Sequence, residues 1–342
     1  STGRVRTSAN LSLNNGAGVG DNLQLQAVAS EGSRYARVAY GVPVGVQGWR
    51  AGLHASQMNY ELVGNFAALQ ASGSSQSWGA TLSAPLIRQP THNLGGLLSA
   101  DRRRFNNRAL ANTAASEAST VSDYQLQAVR TSLSGNWLEP WSLPAQSSLG
   151  VQVSWGEVDL SQSPNAAADA SGARTAGAFR KVTANYSREQ SLGTQTSWYL
   201  LGSAQWANRN LDSSEKLYLG GVGGVRAYPS NEAGGSSGST VSTGLRYRLD
   251  AAFMLSSFID WGRIQVYRNN ASATGGELSP LNTQILRGKG LSLSWRSSQG
   301  HELSATWSRR SGLNPAANPI TGADSDGTRT LNRLWLSASL NY

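Results

Sequence analysis

Alternation with a period of two runs through almost the whole chain, and no other feature narrows the possible folds so sharply. Between Arg4 and Leu13, the residues Val5, Thr7, Ala9, Leu11 and Leu13 fall on one side of an extended backbone, with Arg4, Arg6, Ser8, Asn10 and Ser12 on the other. The split recurs at Trp78, Ala80, Leu82, Ala84 and Leu86 against Ser77, Gly79, Thr81 and Ser83. It returns at Leu245, Tyr247 and Leu249 against Arg246 and Arg248, and at Leu291, Leu293 and Trp295 against Ser292, Ser294 and Arg296. The last row is Leu334, Leu336, Ala338, Leu340 and Tyr342, opposite Arg333, Trp335, Ser337, Ser339 and Asn341. About fifteen such segments are present, mostly of the roughly ten-residue length with which a tilted strand crosses a bilayer. Helical periodicity is absent, so the chain reads as all-β.

The chemistry of the two faces decides between a membrane barrel and a soluble sheet. The apolar face carries Leu, Ala and Val with aromatics near its ends, and the polar face carries Arg, Gln, Ser and Asn. A water-soluble sandwich would instead turn Lys and Glu outward and pack branched aliphatics inward. Lipid-facing small and medium apolar residues around a wet lumen are the pattern of a transmembrane antiparallel barrel. No stretch approaches the uninterrupted apolar run that a spanning helix needs. With 11 Trp and 11 Tyr but only 14% charged residues, the composition is not that of a disordered chain.

The links between segments give the orientation. After odd segments they are mostly short: residues 14–21, 43–47, 87–93, 192–195, the region of Asp250, and 297–300. After even segments they become long and polar: 107–122, 159–177, 210–239, 269–283 and 312–328. Outer-membrane barrels have short periplasmic turns and long surface loops. The chain is therefore expected to start outside and to end in the periplasm, with Tyr342 closing the outward apolar row. An aromatic there is what a signal read by the barrel-assembly machinery during biogenesis looks like.

Two motifs stand out on this pattern. One is Glu215-Lys216-Leu217-Tyr218-Leu219-Gly220-Gly221 followed by Val225, Arg226, Ala227, Tyr228 and Pro229, with Glu232 beyond it; the other is Phe258-Ile259-Asp260-Trp261-Gly262. Together they resemble the C-terminal barrel of two-partner secretion (type Vb) outer-membrane transporters, within the superfamily of barrel-assembly and polypeptide-transport proteins. The family pattern continues with Gly-Asp-x-Gly where this chain has Gly235-Ser236-Ser237-Gly238, so the Asp is missing. Turns at residues 13–21, 40–45 and 85–88 are similar to the family's, and the resemblance covers essentially the whole chain.

The resemblance implies a sixteen-stranded barrel of which strand one is not in this sequence, with a plug helix and POTRA domains upstream, and all of residues 1–342 as the barrel domain. It implies export of a large unfolded exoprotein, an adhesin, haemolysin or contact-dependent toxin. The runner-up readings are an assembly factor that inserts other barrels and a passive porin. It also implies that the long surface loop folds into the lumen, where Arg226 meets Asp260 on the wall. Asp260 with Phe258 and Gly262 faces inward if Ile259 and Trp261 meet lipid, and the ion pair would be bidentate and partly shielded. The competing reading is that Arg226 pairs locally with Glu232.

Other inward arginines, Arg4, Arg6, Arg50, Arg246, Arg248, Arg296 and Arg333, read as lining and solvating the lumen, with an acidic unfolded passenger as the alternative ligand. Arg102, Arg103 and Arg104 are candidates for lipopolysaccharide phosphate at the outer rim, or a solvated strand end. The formal charge of +9 is spread along the chain rather than clustered, which gives no footing for nucleic acid. With no Cys, and with His54, His92 and His301 on separate segments, no metal or cofactor site is expected. Gly234-Gly235-Ser236-Ser237-Gly238 fits G-x-S-x-G formally but lacks the following helix of a nucleophile elbow, so no enzyme is read here.

Overall fold

The computed structural model describes residues 3, 5–110, 118–140, 142–270 and 282–341. The alternating segments become one antiparallel sheet of 15 strands, and its strand order follows the chain throughout. The strands are β1 (Arg6–Asn14), β2 (Asn22–Ser30), β3 (Ser33–Val44), β4 (Trp49–Glu61), β5 (Ser72–Arg88), β6 (His92–Ala109), β7 (Ser119–Glu139), β8 (Ala145–Asp159), β9 (Gly177–Ser191) and β10 (Thr196–Ala207). After a long excursion come β13 (Ser237–Arg248), β14 (Phe253–Gln265), β15 (Thr283–Arg296), β16 (Glu302–Arg310) and β17 (Asn332–Ser339). Within the excursion, β11 (Leu217–Tyr218) and β12 (Gly234–Gly235) form a small separate ladder.

Register is fixed because each strand has one face that suits lipid and one that does not. A slip of one residue would exchange them along the whole strand. Ile259 is 63% exposed while Asp260 beside it is 1% exposed. Leu53, Trp78, Leu133, Trp155, Leu291, Trp307, Leu334 and Leu336 stand exposed on the outward row in the same way. The greasy exterior expected from the sequence is present.

The bore differs from expectation. Two apolar clusters lie inside it, one of Tyr124, Leu126, Val158, Leu160, Phe179 and Leu211, the other of Leu219, Val225, Ala227, Tyr228, Ile264 and Leu286. Both include residues of the excursion 208–236, which needs an apolar seat to fold against. Away from the excursion the bore is polar. A cavity of about 530 Å³ beside its tip is lined in part by Ser134, Ser148, Asn185, Ser187, Ser203 and Ser242.

At one end of the sheet the links are short, residues 15–21, 45–48, 89–91, 140–144, 192–195, 249–252 and 297–301. At the other they grow to 160–176, 208–236, 266–282 and 311–331, though the first is a two-residue turn at 31–32. The expected long and short ends are therefore present. Among the described residues the named helical elements lie in links: 3-10 turns at Gly64–Leu69 and Ser213–Glu215, and α1 (Ala166–Ser171).

Candidate functional site

The excursion 208–236 touches the wall at strands from β6 to β17, so the sheet is rolled around it. Arg226 makes the tightest of these contacts. Its Nε donates to Asp260 Oδ2 at 2.9 Å and its Nη2 to Asp260 Oδ1 at 2.6 Å, while its backbone N–H donates to Oδ2 at 3.0 Å. The guanidinium also donates to Ser242 Oγ at 2.6 Å and lies 3.4 Å from the centre of the Phe258 ring. Burial alone would lower the pKa of Arg226, but the bonds to Asp260 outweigh it and hold the guanidinium above its ordinary value. The carbonyl of Arg226 accepts from Ser308 Oγ and from Trp335 Nε1, each at 2.8 Å. One residue thus joins β13, β14, β16 and β17.

The spacing Phe258, Asp260, Gly262 has a local explanation. All three face inward with period two, the ring as a platform, the carboxylate as the acceptor and the glycine as clearance. A Cβ at Gly262 would lie 3.0 Å from Leu219 Cδ2 and 3.1 Å from Val225 Cγ2. On the next strand, a Cβ at Gly288 would lie 2.7 Å from Ala227 Cβ. Tyr228 is fully buried, with the Arg310 guanidinium 4.6 Å from its ring centre.

Glu232 lies away from Arg226. Its Oε1 accepts from Asn314 Nδ2 at 2.6 Å and its Oε2 from the backbone N–H of Ser325 at 2.9 Å, which ties the excursion to the link 311–331. That link is itself held to the wall: Asp324 pairs with Arg310 and, at 3.1 Å, with Arg333, and Asp326 pairs with Arg333 at 2.8 Å. Burial would raise the pKa of Asp326, yet bonds from Arg333 and Thr328 hold it below the usual carboxylate range.

A third fastening, on the opposite wall, was not read from the sequence. Glu215, 2% exposed, pairs with Lys181 at 2.7 Å, Arg130 at 2.8 Å and Arg103 at 3.0 Å, while Asp101 pairs with both Arg103 and Arg130. Burial pushes the Glu215 carboxyl up, but Lys181, Arg130 and Arg103 together prevail and hold it below its ordinary value. The Arg102 to Arg104 run is accordingly split. Arg103 turns inward to Glu215, whereas Arg102 and Arg104 donate to Gln125 and Asp123 at 2.9 and 3.0 Å. Arg103 is no candidate for a lipid phosphate.

The remaining arginines occupy varied settings. Arg246 pairs with Glu189 and lies 4.5 Å from the Tyr199 ring centre. Arg50 donates to the carbonyls of Gly20 and Gly41. Arg296 pairs with Glu302 near the short-turn end, and Arg248 lines a recess with Arg246 there. Arg333 fastens the link 311–331 rather than standing in open lumen, and Arg6 lies exposed on β1. Arg4 and Tyr342 lie outside the described residues. No cluster of three or more metal-ligating side chains occurs among the described residues.

A strand-built wall, apolar without and largely polar within, holding a folded link of its own chain inside the bore, defines an outer-membrane β-barrel with an occupied bore. The chain belongs to the haemolysin secretion/activation protein family ShlB/FhaC/HecB, whose model matches residues 1–290. It is 28% identical over 345 aligned residues to the heme/hemopexin transporter protein HuxB of Haemophilus influenzae, covering 98% of this chain and 57% of HuxB. In fold it is similar to CdiB from Escherichia coli, with a TM-score of 0.75 and 17% identity over 98% of this chain and 59% of that one. CdiB from Acinetobacter baumannii gives a TM-score of 0.70 and 15% identity over 97% and 56%. The chain thus spans little more than half the length of these relatives. Like them it is an outer-membrane β-barrel.

Proposed function

We propose that this barrel exports a large unfolded exoprotein across the outer membrane, and that the excursion 208–236 sets whether the path is occupied or clear. The observation that carries this reading is the link between Arg226 and Asp260. A long surface connection is entropically loose unless something holds it, and here, alongside the apolar clusters that seat it, its tip is held to the wall by charged and polar contacts. Such contacts can be exchanged for water or for a polar chain, whereas a fully apolar plug would have no polar route past it. No nucleotide is available outside the inner membrane, so folding of the passenger at the surface supplies the drive. Family membership and the similarity to HuxB, named a heme/hemopexin transporter protein, support a transporter serving a dedicated partner. The passenger class proposed is an adhesin, haemolysin or contact-dependent toxin.

The test is release of a large exoprotein of the proposed class, sought among the genes adjacent to this one, measured in cells with the gene, without it, and with Arg226→Ala. Loss of release without the gene, and altered release in the variant, are expected. Steady ion conductance with unchanged release in all three strains would indicate a porin instead.

A further inference from the structure

We propose that the outer wall of β14, β15 and β16 binds the phosphorylated headgroup of an outer-leaflet glycolipid through Arg263, Arg287, Lys289 and Arg309. Register places all four on the lipid side. Lys289 stands opposite Ile259 and Arg287 opposite Trp261, the two residues that flank inward-facing Asp260, and Arg263 stands opposite Ile285. Lys289 is also directly opposite Arg309. All four are exposed.

Their height matters as much as their face. Going from the short-turn end, the outward row of β14 runs through Leu255, Ser257, Ile259 and Trp261 to Arg263, with Gln265 beyond it. That of β15 runs through Trp295, Leu293 and Leu291 to Lys289 and Arg287, with Ile285 and Thr283 beyond them; that of β16 runs through Leu303, Ala305 and Trp307 and ends in Arg309. The cations therefore lie together just past Leu291 and Trp307, on the long-loop side, where the apolar rows of β15 and β16 are interrupted, with Ile259 and Trp261 of β14 beside them. Membrane headgroups lie at that level, and in the outer membrane those of the outer leaflet carry phosphate.

Among the described residues nothing neutralises this cluster. None of the four side chains has an ion-pair or hydrogen-bond partner among the described residues. The outward positions of β13 to β17 include no Asp or Glu. Like charges directly opposite each other on a sheet repel, so the Lys289–Arg309 pair opposes folding unless an anion bridges it. Arg102 and Arg104 on the far wall provide an internal contrast, because Gln125 and Asp123 already engage them. A headgroup bearing two phosphates matches four clustered cations, and arginine forks suit phosphate oxygens.

The experiment is a titration of the full-length protein in detergent with bisphosphorylated lipid A, followed by native mass spectrometry. Parallel arms use lipid A stripped of phosphate and inorganic phosphate alone. Bisphosphorylated lipid A should bind, less tightly as salt rises, and neither control should match it. The triple variant Arg287→Gln, Lys289→Gln, Arg309→Gln should lose about a hundredfold in affinity, while Arg102→Gln with Arg104→Gln changes little. Folding is checked by heat-modifiable electrophoretic mobility; if the triple variant fails it, Lys289→Gln alone should lose about fivefold. Unchanged affinity in the folded variant, equal binding of phosphate-free lipid A, or full competition by inorganic phosphate would each overturn the proposal.

Discussion

Trp335 on β17 donates its indole N–H to the main-chain carbonyl of Arg226 at 2.8 Å, while the side chain of Arg226 grips Asp260 on β14. The two halves of one residue thus reach different strands. Displacing the excursion requires parting both, and the backbone bond makes the position of Arg226 independent of rotamer changes in its own side chain.

Removing the carboxylate should free the tip. Asp260→Asn or Arg226→Ala leaves a mostly buried charge without its partner, a change that costs about 3–5 kcal/mol in comparable settings. Arg226→Lys keeps the charge but loses the two-pronged geometry and should not restore the wild type. Limited proteolysis from the outside, scored at residues 208–236, is expected to show faster cleavage in all three variants. Cleavage at the wild-type rate in Asp260→Asn would show that the pair does not hold the tip.

Clearance at the wall makes a separate prediction. Gly288→Ala places a methyl 2.7 Å from Ala227 Cβ, where neither atom sits on a flexible arm. Overpacking of this kind costs about 1–3 kcal/mol. Ala227→Gly should recover much of the loss in the double variant, giving a favourable coupling in a double-mutant cycle of unfolding in urea. Gly150→Ala, which meets nothing within 4 Å, is the expected silent control.

The Glu215 fastening should depend on pH. Its carboxyl titrates below its ordinary value when folded, so its contribution is complete above the ordinary carboxylate range of about 4.3. That contribution is lost as pH falls through the lower folded value. Cleavage of the excursion should therefore be flat from neutral pH down to about 4.5 and rise below it. Glu215→Gln should be cleaved readily at neutral pH, with that acid-dependent step removed. An identical acid step in Glu215→Gln would assign the transition to another carboxylate.

Glu232 joins two surface links, and cutting that joint should loosen both. In Glu232→Ala, Asn314 keeps Asp324 as a partner at 2.9 Å, so the link 311–331 should open only partly. Hydrogen exchange at the Ser325 amide, now without its acceptor, should rise in this variant; unchanged protection there would rule out the contact as a tether.

The sequence carried the wall and much of the Arg226 site because both obey a local rule. Ile259 and Trp261 in an outward row force Asp260 and Gly262 inward, and no distant information is needed. The Glu215 fastening depends instead on three strands meeting across the bore. The period of two already separated Arg103 from Arg102 and Arg104, and it set Asp101 and Arg103 on one face two residues apart; reading the three arginines as a single run concealed this. The apolar clusters were hidden for a different reason. Leu126, Val158 and Phe179 sit on the inward side where a purely wet lumen predicts polar residues, and only the packed excursion explains them. Helix α1 could have been seen in Ala166-Ala167-Ala168 after Asn165, but six residues carry little periodicity.

Three of the polar moorings of the excursion lie on three different surfaces: on β6, β7 and β9 through Glu215, on β13, β14, β16 and β17 through Arg226, and on a neighbouring link through Glu232. Because no side chain serves two moorings, they can be cast off one after another. Under the proposed export, a translocating polymer would meet these three barriers one at a time, and a chain that slips backward would find the remaining lines still fast.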